Sequence, residues 1–131
     1  MTDRGKAKDF PRRGEIWQVD LNPTSAPESQ QVPRNREITK KRPALVISDD
    51  DYNENTNYVC VIPITNTIDQ ERFRPEIEVM VPAGKNVTGK LLVIQQRSVD
   101  RHDRLKERLD KLDIVTMAAV EKILKSLLRL K

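Results

Sequence analysis

Arg42 and Thr65 are the residues in this 131-residue chain whose types and spacing could do chemistry. They bracket the stretch KRPALVISDDDYNENTNYVCVIPIT, residues Lys41 to Thr65. An arginine is permanently charged and presents a planar fork of donors to phosphate oxygens. A hydroxyl can hold one more phosphate oxygen. Basic residues crowd just upstream, at Arg34, Arg36, Lys40 and Lys41. The wider toolkit is Arg, Thr, Ser, Gln and Asp. That set is compatible with RNA cleavage by the substrate's own 2′-hydroxyl. The nucleophile then comes from RNA, and the protein need only orient the phosphate and stabilise its developing charge. Many nucleic-acid binders also place Arg beside Thr, so the toolkit alone shows compatibility with that chemistry and no more.

Other chemistries lack their motifs. There is one cysteine, Cys60, so no internal disulfide and no Cys/His metal spacing. No nucleotide-binding glycine loop and no Ser/His/Asp arrangement is legible, so neither a cofactor nor a metal is expected. No apolar run approaches the roughly 18 residues of a membrane helix. The N-terminus, MTDRGKAKDFPRR, has no apolar core and is not a secretory signal. A soluble, cytoplasmic protein without membrane partners is expected. The net charge of +4 permits nucleic-acid contact, and the local cluster before Arg42 says more than the total.

The elements that must position Arg42 and Thr65 follow from periodicity. The length suits one domain: residues 1–12 read as a flexible lead-in and residues 13–131 as the domain. Glu15–Leu21 alternates as a strand with Trp17, Val19 and Leu21 on the buried face. Residues 22–41 form a long polar loop with Pro27 and Pro33, expected beside the binding surface. Pro43 opens a second strand through Ala44–Ser48, and Tyr58–Ile64 is the third. The Asp/Asn-rich connector Asp49–Asn57 is a turn with room for one helical turn. Pro63 argues for a strand end or a bulge. Glu76–Val81 and Lys90–Gln96 read as further strands around a turn with two glycines. Arg104–Leu112 is ambiguous, because Leu105, Leu109 and Leu112 fit a helical stripe as well as a short strand. Asp113 then caps a helix to about Leu130, with Met117, Val120, Ile123, Leu124, Leu127 and Leu128 at helical spacing. The fold class is mainly β with a C-terminal α-helix, in a small curved sheet or barrel.

Four segments together resemble a known family. Gly14–Thr24 (GEIWQVDLNPT), Lys41–Ser48 (KRPALVIS), Val61–Thr65 (VIPIT) and Gln95–Asp100 (QQRSVD) are similar to the successive motifs of the MazF/PemK toxins. The resemblance covers about Gly14 to Leu130. It implies a small SH3-like curved barrel of the CcdB/MazF kind and a homodimer. It implies a sequence-specific, metal-independent endoribonuclease of single-stranded RNA, the toxin of a type II toxin-antitoxin system. A cognate antitoxin would neutralise it, and operator DNA would be met only through the antitoxin complex. The family's catalytic arginine and threonine correspond to Arg42 and Thr65. Arg42 would stabilise the phosphate and serve as a candidate proton donor, since a pKa above about 12 makes it a poor base. Thr65 would position the scissile phosphate. Arg36, Lys40, Lys41, Gln95 and Arg97 are the expected RNA contacts, with Gln95 leaning towards an ordering role.

Three departures from the pattern stand out. The first loop is extended and glycine-free, which bears on RNA specificity and on gating of the site. Many relatives carry an acid where this chain has Ile94. The tryptophan pair common in the first strand is Trp17-Gln18 here. Among single residues, Cys60 and Trp17 read as core, and His102 reads as a solvated surface residue rather than a proton shuttle. Arg42 reads as functional in preference to a partner of Asp49. Two other classes compete with the enzyme: a non-catalytic relative that binds nucleic acid or inhibits a topoisomerase, and a small module whose basic loop binds an acidic protein segment.

Overall fold

The computed structural model describes residues 10–21, 41–66 and 73–130. The elements are β1 (Glu15–Asp20), β2 (Lys41–Val46), α1 (Asp50–Asn55), β3 (Tyr58–Thr65), β4 (Glu78–Met80), β5 (Lys90–Leu92), β6 (Arg97–Asp100), β7 (Leu105–Lys111) and α2 (Ile114–Leu128). Most of the expected lead-in, and the first loop up to Lys40, lie outside the described residues. The strands form one antiparallel sheet in the order β4-β5-β3-β2-β1-β7, with β6 also paired to β3. The expected strand complement and C-terminal helix are present. The expected barrel closure is not: the sheet path is open, with β4 at one end and β7 at the other.

Alternation along the central strands sorts the core into two layers. One layer holds Ile16, Leu45, Ile62, Ile64, Leu91 and Val120, with Met117, Ile123 and Leu124 of α2 packed against it. The other holds Val19, Leu21, Ala44, Val46, Val59, Val61, Val99 and Leu105, with Trp17 at its edge. Odd positions of β1 and β3 and even positions of β2 share this second face, as a two-residue period requires. Helix α2 covers the first face only. Val120 is its fully buried residue, and burial of such a side chain contributes about 1.5–3 kcal/mol. Leu127 and Leu128, expected in the same stripe, are about half exposed.

Two sequence expectations need correction, and one open choice is resolved. The strand expected over Lys90–Gln96 breaks after Leu92 into a 3₁₀ turn, Val93–Gln95. The cause is register on the outer edge of β3. The pairs Ile64↔Leu91 and Thr65↔Lys90 each sum to 155, whereas Tyr58↔Asp100 through Val61↔Arg97 each sum to 158. Three residues must leave the ladder, and they do so in the turn. Ile62 and Pro63 face this gap, so Pro63 sits within β3 where no outer ladder bond is needed.

The ambiguous segment is a strand, β7, and its register on β1 shifts twice. Asp110 opposes Ile16, but Arg108 opposes Trp17; Glu107 opposes Gln18, but Leu105 opposes Val19. Leu109 and Lys106 are thus the extra residues of two bulges. The bulges let Leu105 join the second layer while Leu109 and Leu112 join the first. Finally, β4 is shorter than expected, Glu78–Met80.

The connector forms α1, whose N-cap Asp49 accepts from the Asp51 amide at 3.0 Å. Asp113 caps α2, accepting from the Thr116 hydroxyl at 2.6 Å and the Thr116 amide at 3.0 Å. Helix α2 ends where Arg129 turns left-handed, at φ 58°.

Three turn and cap carboxylates are held below the ordinary aspartate range by donated hydrogen bonds. Asp100 is held by the amides of Asp103 and His102, Asp110 by those of Asn86 and Lys111, and Asp113 by the Thr116 hydroxyl and then its amide. Each pKa is depressed in the folded state, so the unfolded chain binds more protons in acid. Their contribution is complete above about pH 5 and is lost as pH falls through about 4 and below. Urea midpoints measured from pH 7 to pH 3 should therefore hold steady and then drop. Asp113→Asn should drop less steeply; an unchanged acid limb would show that this cap does not titrate as described.

Candidate active site

The pairing of β2 with β3 settles where the two leading residues stand. Ala44↔Pro63, Leu45↔Ile62 and Val46↔Val61 each sum to 107. The ladder pairs stop at Ala44↔Pro63; just beyond them, Arg42 of β2 and Thr65 of β3 come to the same end of the strand pair. Both are on the face of Ala44, Val46 and Val61, the face that α2 leaves uncovered. Both are also at the sheet's rim, since Arg42 is the second residue of β2 and Thr65 the last of β3.

Arg42 is flanked on its other side by Val19 of β1. Its Nε is buried and, among the described residues, has no hydrogen-bond partner. Buried polar groups without partners are rare in folded proteins and costly. The Nε is sealed from solvent, so an anion supplied from outside would meet the terminal nitrogens of the guanidinium. The alternative partner Asp49 is committed to capping α1. Thr65 is buried, with 6% of its surface exposed.

The remaining expected contacts divide. Lys41 is exposed and opposes Asp20 at the same rim. Arg97 opposes Val61, so it shares the face of Thr65 but stands four residues down β3, about 13 Å away along the strand. Gln95 closes the 3₁₀ turn and is half-buried. Arg36 and Lys40 lie outside the described residues. Ile94, the position where an acid is expected in many members of the resembling pattern, is 48% exposed in the same turn.

Other residues fall where their side-chain chemistry allows. Trp17 packs at the edge of the second core layer, and its Nε1 donates to Glu15 Oε1 at 3.0 Å. His102 is exposed in the turn after β6, whose Asp100 opposes Tyr58 at the far end of β3 from Thr65. That is about 23 Å of strand away, so His102 does not serve this site. Cys60 is only half-buried; its thiol lies 2.7 Å from Gln96 Oε1, and burial raises its pKa.

Sequence reasoning missed Gly89 and Lys90. Lys90 opposes Thr65 across β5, and a side-chain carbon on Gly89 would lie 2.2 Å from the Thr65 carbonyl oxygen. The glycine in a turn was a visible signal, but its target was not. Among the described residues no cluster of three or more His, Cys, Asp or Glu could hold a metal ion, and no helix is long and apolar enough to cross a membrane.

Comparison with known proteins gives this geometry a setting. Endoribonuclease MazF9 of Mycobacterium tuberculosis is 30% identical over 119 residues, covering 87% of this chain and 92% of that protein. Endoribonuclease PemK of Escherichia coli is 28% identical over 115 residues, covering 88% and 80%. The crystal structure of MazF from Deinococcus radiodurans superposes with a TM-score of 0.76 at 29% identity, covering 92% of this chain and 98% of that one. The family model of PemK-like, MazF-like toxins matches residues 12–128. With nearly the whole described fold inside that match, the chain belongs to the PemK-like, MazF-like toxins of type II toxin-antitoxin systems.

Proposed function

We propose that this chain is the endoribonuclease toxin of its system, cutting single-stranded RNA sequence-specifically and without a metal. The observation that carries the reading is the β2–β3 register, which brings Arg42 and Thr65 to the same end and face of the strand pair, just past Ala44↔Pro63. Two relatives that match most of the chain are endoribonucleases by name, which supports the same reaction.

In the reaction, the RNA 2′-oxygen attacks the adjacent phosphorus and the bond from phosphorus to the 5′-oxygen breaks. The products are a cyclic phosphate and a free 5′-hydroxyl. The 2′-hydroxyl gives its proton to a solvent water and the departing 5′-oxygen gains one. Arg42 binds the non-bridging oxygens and neutralises the charge that builds on them. It is also the candidate donor to the 5′-oxygen. Thr65 holds the phosphate in line for attack. With Ile94 in place of an acid, no carboxylate at that position accepts the 2′-hydroxyl proton. Positioning and charge stabilisation therefore carry the acceleration. Lys41, Gln95 and Arg97, with Arg36 and Lys40 of the first loop, are the proposed RNA contacts. The extended loop 22–41 bears on which sequence is cut.

The protein acts in the cytoplasm as a homodimer, and a cognate antitoxin neutralises it. Complexes of MazE with MazF from Deinococcus radiodurans, 28% identical over 93% of this chain with a TM-score of 0.67, support that partner. Exposed Leu127, Leu128 and Leu130 at the end of α2 are apolar surface that self-association would cover. One observation favours a second reading, a non-catalytic relative that binds nucleic acid or inhibits a topoisomerase: the exposed Ile94 where an acid is common.

Purified protein incubated in EDTA with a long single-stranded RNA separates these readings. Cleavage is expected, and Arg42→Ala should lower kcat/KM by roughly 10²–10³-fold, the usual cost of losing one oxyanion donor. Thr65→Ala should lower it by a similar factor and leave a measurable residual rate. RNA bound but left intact would favour the non-catalytic reading. No interaction with RNA would end the nuclease reading.

Arg42 should also show function traded against stability. Arg42→Met removes a buried donor that lacks a partner and keeps an apolar stem. Its denaturant midpoint should equal or exceed that of the wild type while cleavage is lost. A loss of more than about 1 kcal/mol would show that Arg42 is a structural residue.

A further inference from the structure

A buried ion pair lies beside Thr65. Lys90 Nζ is 3.0 Å from Glu78 Oε1, and their side chains are only 11% and 7% exposed. The same Glu78 oxygen also accepts the Arg74 amide at 2.8 Å. Lys90 opposes Thr65 on one side and Met80 of β4 on the other, so it links the last residue of β3 to the β4–β5 hairpin. Stability does not explain such a pair. Each buried ion costs several kcal/mol in lost hydration, and an apolar pair of similar volume is often as stable or better.

The end of β3 has a need that the pair meets. Thr65 is the strand's last residue, and strand ends fray unless something holds them. What lies against it is the start of the hairpin. At Gly89, with φ +129°, an added Cβ would be 2.2 Å from the Thr65 carbonyl oxygen and 3.1 Å from the Asn66 α-carbon. The backbone at 89–90 is thus seated directly on Thr65, and the Lys90–Glu78 link ties that backbone to β4. Because Glu78 balances the Lys90 charge, Lys90 acts through Thr65 rather than on a phosphate.

We infer that the Lys90–Glu78 pair is a positioning device that presents the Thr65 hydroxyl to the scissile phosphate. This rests on the reading of Thr65 as the phosphate-holding group. Lys90 is accordingly a positioning residue, and its loss should lower kcat more than it raises KM.

The full-length chain tests this with a double-mutant cycle on RNA cleavage and, in parallel, with the NMR signal of the Thr65 methyl group. Lys90→Met should lower kcat by roughly tenfold and leave KM within about twofold, in line with the cost of a small misplacement. In a Thr65→Val background the same change should have little further effect, because its target is gone. Lys90→Arg, which keeps the charge, should restore most of the rate. The Thr65 methyl resonance should shift or broaden in Lys90→Met. Should Lys90→Met fail to fold, Glu78→Gln, which keeps the side-chain shape and an acceptor oxygen, takes its place in both measurements. Equal fold-losses with and without the Thr65 hydroxyl would overturn the inference. A wild type that leaves RNA intact would instead defeat the nuclease reading; an unmoved Thr65 methyl signal would then, separately, defeat the positioning one.

Discussion

Strand β3 takes two partners along one edge, and the rest of the structure follows from how it does so. Its inner edge is paired with β2 in unbroken register. Its outer edge is shared by β5 near Thr65 and β6 near Tyr58, three residues out of step. The inner register, continued past Ala44↔Pro63, brings Arg42 and Thr65 to the same end of the strand pair. The broken outer ladder makes the 3₁₀ turn, places Pro63 where a missing N–H does no harm, and ends β5 after three residues. A slip of one residue between β2 and β3 would turn every side chain of one strand to the other face. The two core layers forbid it, because Leu45 and Ile62 belong against α2 while Ala44, Val46 and Val61 belong away from it.

The division of labour between the faces explains why polar chemistry can sit on so small a sheet. Helix α2 takes the first face and buries it. The second face is an apolar layer of its own, in which Val99 of β6 lies beside Val59 and Leu105 of β7 beside Val19. Small residues suffice there, and the layer runs out at the rim where β2 begins and β3 ends. Arg42 and Thr65 occupy that rim. An arginine placed there keeps an apolar stem against the layer while its head meets whatever arrives from outside.

Much of this was legible in the chain, and the parts that were not share a physical cause. Alternation in Glu15–Leu21 and the apolar runs around Asp49–Asn57 disclosed β1, β2 and β3, and with them the Arg42–Thr65 juxtaposition. Asp113 disclosed the start of α2. What misled was the bulge. Two extra residues in β7 turned a two-residue period into Leu105–Leu109–Leu112, which mimics a helix. One three-residue excursion hid inside the apolar run Lys90–Gln96. Bulges depend on what the partner strand does, so local periodicity cannot reveal them. For the same reason Lys90 read as the polar start of a strand, although its partner across the sheet is Thr65. The open sheet is a further case: whether β4 meets β7 depends on curvature summed over the whole sheet and not on any one segment.

Lys90, paired with Thr65, and Arg42, at the same end of the β2–β3 pair, are treated in opposite ways, and the difference bears on which of them does chemistry. Lys90 has a buried carboxylate within 3.0 Å, so its charge is neutralised inside the protein. Arg42 has a buried Nε that no acceptor among the described residues meets. A fold selected for stability alone would reverse this or dispense with both, since an unpartnered buried donor costs about 1–3 kcal/mol and a buried ion pair gains little over apolar residues. The costs are consistent if Arg42 is held ready for an anion and Lys90 is spent on holding its neighbour still. Ile94 adds to the argument. On the proposed reading, a site without an acid there has less proton chemistry to offer, and more of its rate would come from where Arg42 and Thr65 stand. That places the burden on the rigidity of the β3 terminus, where the hairpin carrying Gly89 and Lys90 is seated.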